Sequence, residues 1–128
     1  MEHTSFALTR TQSRTLAHAA AGPNLCAVYR IDGCPDIERL SAAVTQLVAH
    51  CRPLAYRLVD TEQGTHWVIR RDVRAQLNVI DLDRRDECDE AAALSLIDGL
   101  CARRFRLDAG LPWAFTLLRA GNQSYLVF

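Results

Sequence analysis

Apolar residues recur at helical spacing most clearly between residues 36 and 51. The positions that share one helix face are Ile37, Leu40, Val44, Leu47, Val48 and Cys51. Asp36 and Glu38 lie in the first turn, where negative charge complements the helix dipole, and Pro53 ends the pattern. The spacing therefore predicts an amphipathic helix over residues 36–50 with one buried face.

Two further segments have helical patterns. Residues 9–20 are followed by Gly22 and Pro23, which end a helix. Residues 89–103 have one apolar face, and Gly99 weakens this helix locally. The residues of that face are Ala93, Leu96, Ile97 and Leu100. The sequence thus predicts three helices in all.

Short apolar or alternating runs between these helices predict strands. The runs cover residues 25–31, 54–59, 65–70, 77–82, 113–119 and 124–128. Turn residues at 63–64 and 121–122 join two pairs of them as hairpins. Strands and helices alternate irregularly, so the pattern by itself indicates an α+β or an open α/β fold.

Composition restricts the class of protein. A chain of 128 residues with 49% hydrophobic and 23% charged residues is typical of one globular domain. No apolar run approaches the roughly 18 residues of a membrane helix, and the polar start is unlike a signal peptide. We therefore expect a cytoplasmic protein that needs no membrane.

Charge and cysteine content narrow the possible partners and sites. Fifteen arginines balance fifteen acidic residues, and no lysine is present, so a nucleic acid is not an expected partner. The five cysteines show no Cys-x-x-Cys spacing, and the four histidines lie at no ligand spacing from them. We expect reduced thiols that fill the core, and no metal site.

Three segments, in order along the chain, resemble the motifs of condensation domains from nonribosomal peptide synthetases. Residues 6–12 resemble the opening "pLTxxQ" motif, residues 31–50 the "xxGxxDxxxLxxAxxxLVxxH" helix, and residues 105–112 the "FDLxxGPLxR" loop. The matching motif residues are Leu8, Thr9, Gln12, Gly33, Asp36, His50, Phe105 and Pro112. The resemblance covers nearly the whole chain.

This resemblance implies a fold and an activity. The fold is α+β, a single two-layer lobe with helices packed on a mixed sheet, like the N-terminal half of a chloramphenicol acetyltransferase-like domain. The activity is amide formation between acyl or aminoacyl thioesters presented on phosphopantetheine by carrier proteins, with no cofactor bound directly. The partners are carrier domains and the remainder of the condensation domain or synthetase.

Several departures from the family pattern bear on activity. Arg106 replaces the Asp of "FDL", and residues 113–115 read Trp-Ala-Phe where the family leads to an Arg. The family's catalytic His-His-x-x-x-Asp-Gly motif is absent from the sequence. A histidine there can take a proton near neutral pH, so we expect no catalytic residue in this chain and no activity of the chain alone.

Arginine clusters are the candidate carrier contacts. Arg70 and Arg71 precede Arg74, and Arg103 and Arg104 precede Arg106. Guanidinium groups suit phosphate and acidic surfaces, so Arg70, Arg71, Arg103 and Arg104 are predicted to contact a carrier protein. The alternative is that they are ordinary solvated side chains. Gln12 is either a functional motif residue or an ordinary amide on the helix surface, and both alternatives stay open. His50 is expected to stabilise the carbonyl end of its helix rather than to act in catalysis.

The chain ends in an apolar strand, residues 124–128, which suggests that the domain over residues 1–128 continues beyond it. We expect this strand to lie near a sheet edge and to promote self-association. Two other functions remain open. One is a non-catalytic module that docks a carrier or another partner, and the other is an ester-forming acyltransferase relative.

Overall fold

Strands and helices alternate irregularly in the part of the chain that the computed structural model describes, residues 5–18, 24–82, 90–107 and 110–128. The helices are α1 (Arg10–His18), α2 (Ile37–His50) and α3 (Glu90–Cys101). The strands are β1 (Ser5–Ala7), β2 (Val28–Asp32), β3 (Tyr56–Thr61), β4 (Gly64–Ile69), β5 (Leu77–Asp81), β6 (Phe115–Ala120) and β7 (Gln123–Val127). A short 3₁₀ helix, Arg52–Ala55, links α2 to β3. The predicted α+β class is confirmed.

The larger sheet has four strands in the order β2-β7-β6-β5. Its pairs are antiparallel except for β5 and β6, which run parallel, so the sheet is mixed as predicted. The central hairpin of β6 and β7 is buried on both faces, and Leu117 and Leu118 have no exposed surface. Continuous apolar runs suit such doubly covered strands.

The two long helices cover opposite faces of this sheet. Ala93 and Ile97 of α3 pack with Leu118, Tyr125 and Val127. On the other face, Val44 and Val48 of α2 pack against Phe115. Side chains alternate between the faces of a strand, so the β6–β7 hairpin supplies both cores. The predicted packing of helices on a mixed sheet is confirmed.

The sequence pattern does not predict the second sheet of the structure. It has three antiparallel strands in the order β1-β4-β3. Phe6, Tyr56 and Trp67 form an aromatic cluster on it, with ring centroids 5.3 and 6.2 Å apart. Strand β1 has only three residues, which is too short for alternation to be recognised in the sequence.

Helix α2 begins and ends where its sequence predicts. Asp36 is the N-cap, and its carboxylate accepts a hydrogen bond of 3.1 Å from the backbone N–H of Arg39. Pro53 lies in the following 3₁₀ helix. The other predicted boundaries shift by a few residues. Residues 19–20 and 89, at the predicted ends of α1 and α3, lie outside the described residues.

The expected edge position of the terminal strand is wrong. Strand β7 lies between β2 and β6, and beyond it Ala27 and Phe128 exchange backbone hydrogen bonds of 2.8 and 2.9 Å. The edge strands of this sheet are β2 and β5. The position of this strand at the chain end indicates an edge, but long-range pairing with β2 covers it. Self-association itself stays a prediction.

The expectation of reduced thiols is wrong for two of the five cysteines. Cys26, just before β2, forms a disulfide with Cys101 at the end of α3. Cys34 and Cys51 are free thiols. The disulfide ties α3 to the edge of the larger sheet. Across the ranges given above, no helix combines the length and apolar character that a membrane crossing requires.

Candidate functional site

Four arginines from two segments of the chain line one cleft of about 510 Å³. We call it the arginine cleft; its arginines are Arg74, Arg103, Arg104 and Arg106. Among the described residues that line it, none is acidic. Gln76 and Asn78 add side-chain amide groups. The cleft therefore presents hydrogen-bond donors, most of them cationic.

The parallel pairing of β5 and β6 explains why these segments meet. Leu77 at the start of β5 lies opposite Phe115 at the start of β6. The segments that precede the two strands, residues 74–76 and 110–114, therefore enter the sheet at the same end. The segment that follows α3 passes here too, so that Arg103 and Arg74 line the same cleft.

Aromatic and aliphatic side chains form the apolar part of the cleft. Phe105, Leu111 and Trp113 are half-buried. The indole N–H of Trp113 donates a hydrogen bond of 2.7 Å to the carbonyl of Leu54, which fixes the ring. The Arg103 guanidinium carbon lies 5.7 Å from the Phe105 ring centroid, within cation–π range.

The loop after α3 is held in place by residues that lie far from it in the sequence. The side-chain amide of Asn24 donates hydrogen bonds to the carbonyls of Cys101, at 3.0 Å, and of Arg103. The disulfide of Cys26 with Cys101 holds the same helix end. Sequence reasoning missed Asn24, because its partners are 77 and 79 residues away and no local pattern marks such a contact.

The structure separates the four predicted carrier contacts. Arg103 and Arg104 line the arginine cleft, whereas Arg70 and Arg71 do not. Arg70 donates two hydrogen bonds, of 3.2 and 3.0 Å, to the carboxylate of Asp72. This guanidinium holds the pKa of the Asp72 carboxyl below its usual value. Arg71 is exposed. The role of these residues as carrier contacts stays a prediction.

The first family motif has a local structural role. The side chain of Thr9 accepts a hydrogen bond of 3.2 Å from the N–H of Gln12, and Gln12 accepts one of 2.9 Å from the N–H of Thr9. This reciprocal pair is a capping box, with Thr9 as the N-cap of α1. Leu8, just before it, is half-buried. The side chains of Thr9 and Gln12 therefore stabilise the start of α1, and this role requires no ligand.

We expect Thr9→Ala to speed amide exchange in α1 by about fivefold, because loss of an N-cap costs about 1 kcal/mol. Native-state hydrogen exchange of the amides of residues 14–18 measures this. Thr11→Ala is the matched control on the same exposed helix, and it should not speed exchange, since alanine favours helix. Equal effects of the two variants would contradict the capping role.

The second motif also serves the fold. Gly33 has a φ of 89°, which a residue with a side chain rarely adopts. Its N–H donates to the carbonyl of Asn122 at 2.7 Å, and its own carbonyl accepts from the Ser124 hydroxyl at 2.9 Å. These bonds join the turn after β2 to the β6–β7 hairpin. Gly33 therefore has a structural role in this turn.

The remaining motif residues lie at the ends of α2 and in the cleft loop. Asp36 caps α2, and His50 is its last residue, with Nδ1 at 2.8 Å from the carbonyl oxygen of Gln46. Phe105 lines the arginine cleft, and Pro112 is half-buried in the loop before β6. Of the motif residues, Phe105 alone lines the cleft. In the described ranges, histidine, cysteine and acidic side chains form no group of three that could hold a metal ion.

Comparison with known proteins gives the fold a name. No family model and no curated protein matches the chain. The starter condensation domain of rhizomide synthetase superposes with a TM-score of 0.82 at 21% identity, over 97% of this chain and 31% of that one. The epimerization domain from the third module of tyrocidine synthetase B gives 0.80 at 20% identity, over 99% of this chain and 30% of its own. The chain therefore has the fold of about one third of a nonribosomal peptide synthetase condensation or epimerization domain, as its motifs predict.

Proposed function

We propose that the chain is the N-terminal part of a condensation domain that joins carrier-bound acyl and aminoacyl thioesters through an amide bond. The observation that carries this is the superposition of 97% of the chain on a starter condensation domain. The three family motifs, found in order along the same chain, support it independently of the fold.

The chain alone should not catalyse this reaction. An acceptor amine attacks the thioester carbonyl, a C–N bond forms, the C–S bond breaks, and the proton that the amine loses ends on the leaving thiol. The family's histidine motif for that step is absent from the sequence. His50 and His66 both lie within hydrogen-bond distance of backbone carbonyls. A third of a domain also provides only part of the walls that orient two substrates.

Carrier proteins with phosphopantetheine-linked substrates are the proposed partners. Mutants of the rhizomide synthetase starter domain have been solved with a coenzyme A derivative, in one case together with Leu-SNAC. Those ligands support thioesters as the substrate class here. The chain itself is proposed to bind no cofactor directly, because the substrate carries the phosphopantetheine arm.

The test uses one donor carrier and one acceptor carrier, each loaded with a thioester, and intact-mass detection of the condensed product. We expect no product with residues 1–128, and product with the natural polypeptide that contains these residues. Product formed by residues 1–128 alone at an enzymatic rate would refute the proposal that this chain by itself is inactive. Absence of both product and carrier binding with the longer polypeptide would refute a condensation function.

A non-catalytic docking module is the second candidate. The arginine cleft favours it, because Arg106 and Trp113 both line the cleft at positions where the chain departs from the family pattern. Carrier binding without product from the longer polypeptide would support this candidate. An ester-forming relative is tested in the same assay with a hydroxyl acceptor.

A further inference from the structure

Strand β2 lies at one edge of the larger sheet, and among the described strands only β7 pairs with it. Ala27 and Phe128 form a hydrogen-bonded pair at its start, and bonded pairs alternate with non-bonded ones along an antiparallel ladder. The backbone N–H and C=O groups of Val28, Arg30 and Asp32 therefore point away from β7. An edge with such unpaired groups can pair with a further strand.

Large apolar side chains are exposed along the same edge. Tyr29 is 60% exposed, and Val28 beside it is also exposed. Leu25, just before the strand, and Phe128, which pairs with Ala27, are exposed as well. Four of the seven large hydrophobic side chains exposed in the described part of the chain thus lie here, so exposed apolar surface is concentrated at this edge. Its burial would favour association.

The charges of β2 complement those of a second copy of the same strand. Arg30 and Asp32 are exposed and lie two residues apart, so both side chains are on one face of the sheet. In the described ranges neither has an ion-pair partner. When two copies pair antiparallel with Ile31 opposite Ile31, each Arg30 lies opposite Asp32 of the other copy. Opposite charges directly across two strands stabilise their pairing.

The neighbouring registers lack this match. Two copies that share a continuous sheet keep their faces aligned, so the register can shift only in steps of two residues. A register centred on Arg30 places two guanidinium groups against each other, and one centred on Tyr29 places Arg30 opposite Val28. The register centred on Ile31 also places Tyr29 opposite Gly33, where an added Cβ would meet no atom within 4 Å. An aromatic ring has room there, and aromatic rings pair well across from edge glycines.

We infer that the outer edge of β2 is a self-association site, at which two copies of the chain pair antiparallel about Ile31. The larger sheet then continues from one copy into the other. This inference goes beyond the proposed function and does not depend on it. The contact is short, so the dimer should be weak and should exchange with the monomer.

The first test is sedimentation equilibrium of residues 1–128, with Cys34→Ala in every sample to remove an exposed thiol that could link two copies. The mean mass should rise from one chain towards two between about 5 µM and about 1 mM, because a short contact gives a weak interface. In amide exchange followed by NMR, Arg30 and Asp32 should slow as the concentration rises, since their N–H groups face the second copy. The amides of Tyr29 and Ile31, which face β7, should not change.

Exchange of the charges tests the register. Arg30→Asp leaves two carboxylates on β2 and Asp32→Arg leaves two guanidinium groups, so each variant alone should associate at least about tenfold more weakly. An equimolar mixture of the two variants should restore association, which misfolded chains could not do. Arg57→Asp makes the same change at an exposed position of β3, an edge strand of the other sheet, and should alter association by less than about twofold.

Three results would overturn the inference. One is a chain that stays monomeric at about 1 mM, well above the range in which a weak interface forms; the edge of β2 would then be left to a strand of a different protein. The second is equal weakening by Arg57→Asp and Arg30→Asp, which would place the contact elsewhere or make it a general charge effect. The third is failure of the mixed variants to associate.

Discussion

Replacement of Cys26 and Cys101 by alanine is expected to lower the free energy of unfolding by about 4 kcal/mol under oxidising conditions. The two residues are separated by 75 positions in the chain, so their disulfide closes a long loop in the unfolded state. A closed loop has fewer conformations, and its removal makes unfolding more favourable. Urea denaturation of the oxidised wild type and of the double variant measures the difference.

The control for this variant is Cys34→Ala. Cys34 is an exposed free thiol, so its replacement should change stability by no more than about 0.5 kcal/mol. Treatment of the wild type with a reductant should reproduce the loss seen in the double variant. Equal stability of wild type and double variant would show that the disulfide does not form in solution. Peptide mapping of the oxidised chain should recover Cys26 and Cys101 in one linked fragment.

The sequence predicts best those elements whose signals are local. Helix α2 has a capping residue, Asp36, a regular apolar face and a proline just beyond its end, and the structure agrees within one residue. Even here the fit is partial. Leu47 shares the predicted buried face but is 49% exposed, because the sheet beneath α2 contacts mainly Val44 and Val48.

Features that depend on long-range pairing could not be read from the chain. The disulfide is one, since the number of cysteines gives no connectivity. The position of β7 is another: its apolar residues suit a buried strand, but only its pairing with β2 makes it an inner strand. Strand β1 offers three residues, and their pairing with β4 alone defines them as a strand.

The candidate site shows the same limit. Neighbouring positions suggested that Arg74 acts with Arg70 and Arg71. In the structure Asp72 pairs with Arg70, and the parallel register of β5 and β6 brings Arg74 to the loop of Arg103 instead. Residue type alone does not indicate which arginines lie together, because the topology determines that.

Truncation of Leu118 to alanine is expected to cost about 3 kcal/mol of stability. Leu118 has no exposed surface and lies in the core between the central hairpin and α3, beside Ala93 and Ile97. Removal of its three terminal carbons takes away buried apolar contact and leaves a cavity that a rigid sheet cannot close. The expected loss is therefore close to that of the disulfide. Urea denaturation of wild type and variant measures it.

Leu25→Ala is the matched control, since it makes the same chemical change at a side chain that is 100% exposed. Its expected cost is below about 0.5 kcal/mol, because its removal uncovers no core. In the Leu118 variant, hydrogen exchange should accelerate in α3 more than in α2, since α3 packs on the face of Leu118 and α2 on the face of Phe115. Equal acceleration in both helices would mean that the two cores unfold as one unit. A cost for Leu118→Ala no larger than for Leu25→Ala would contradict the packing of α3 on this sheet.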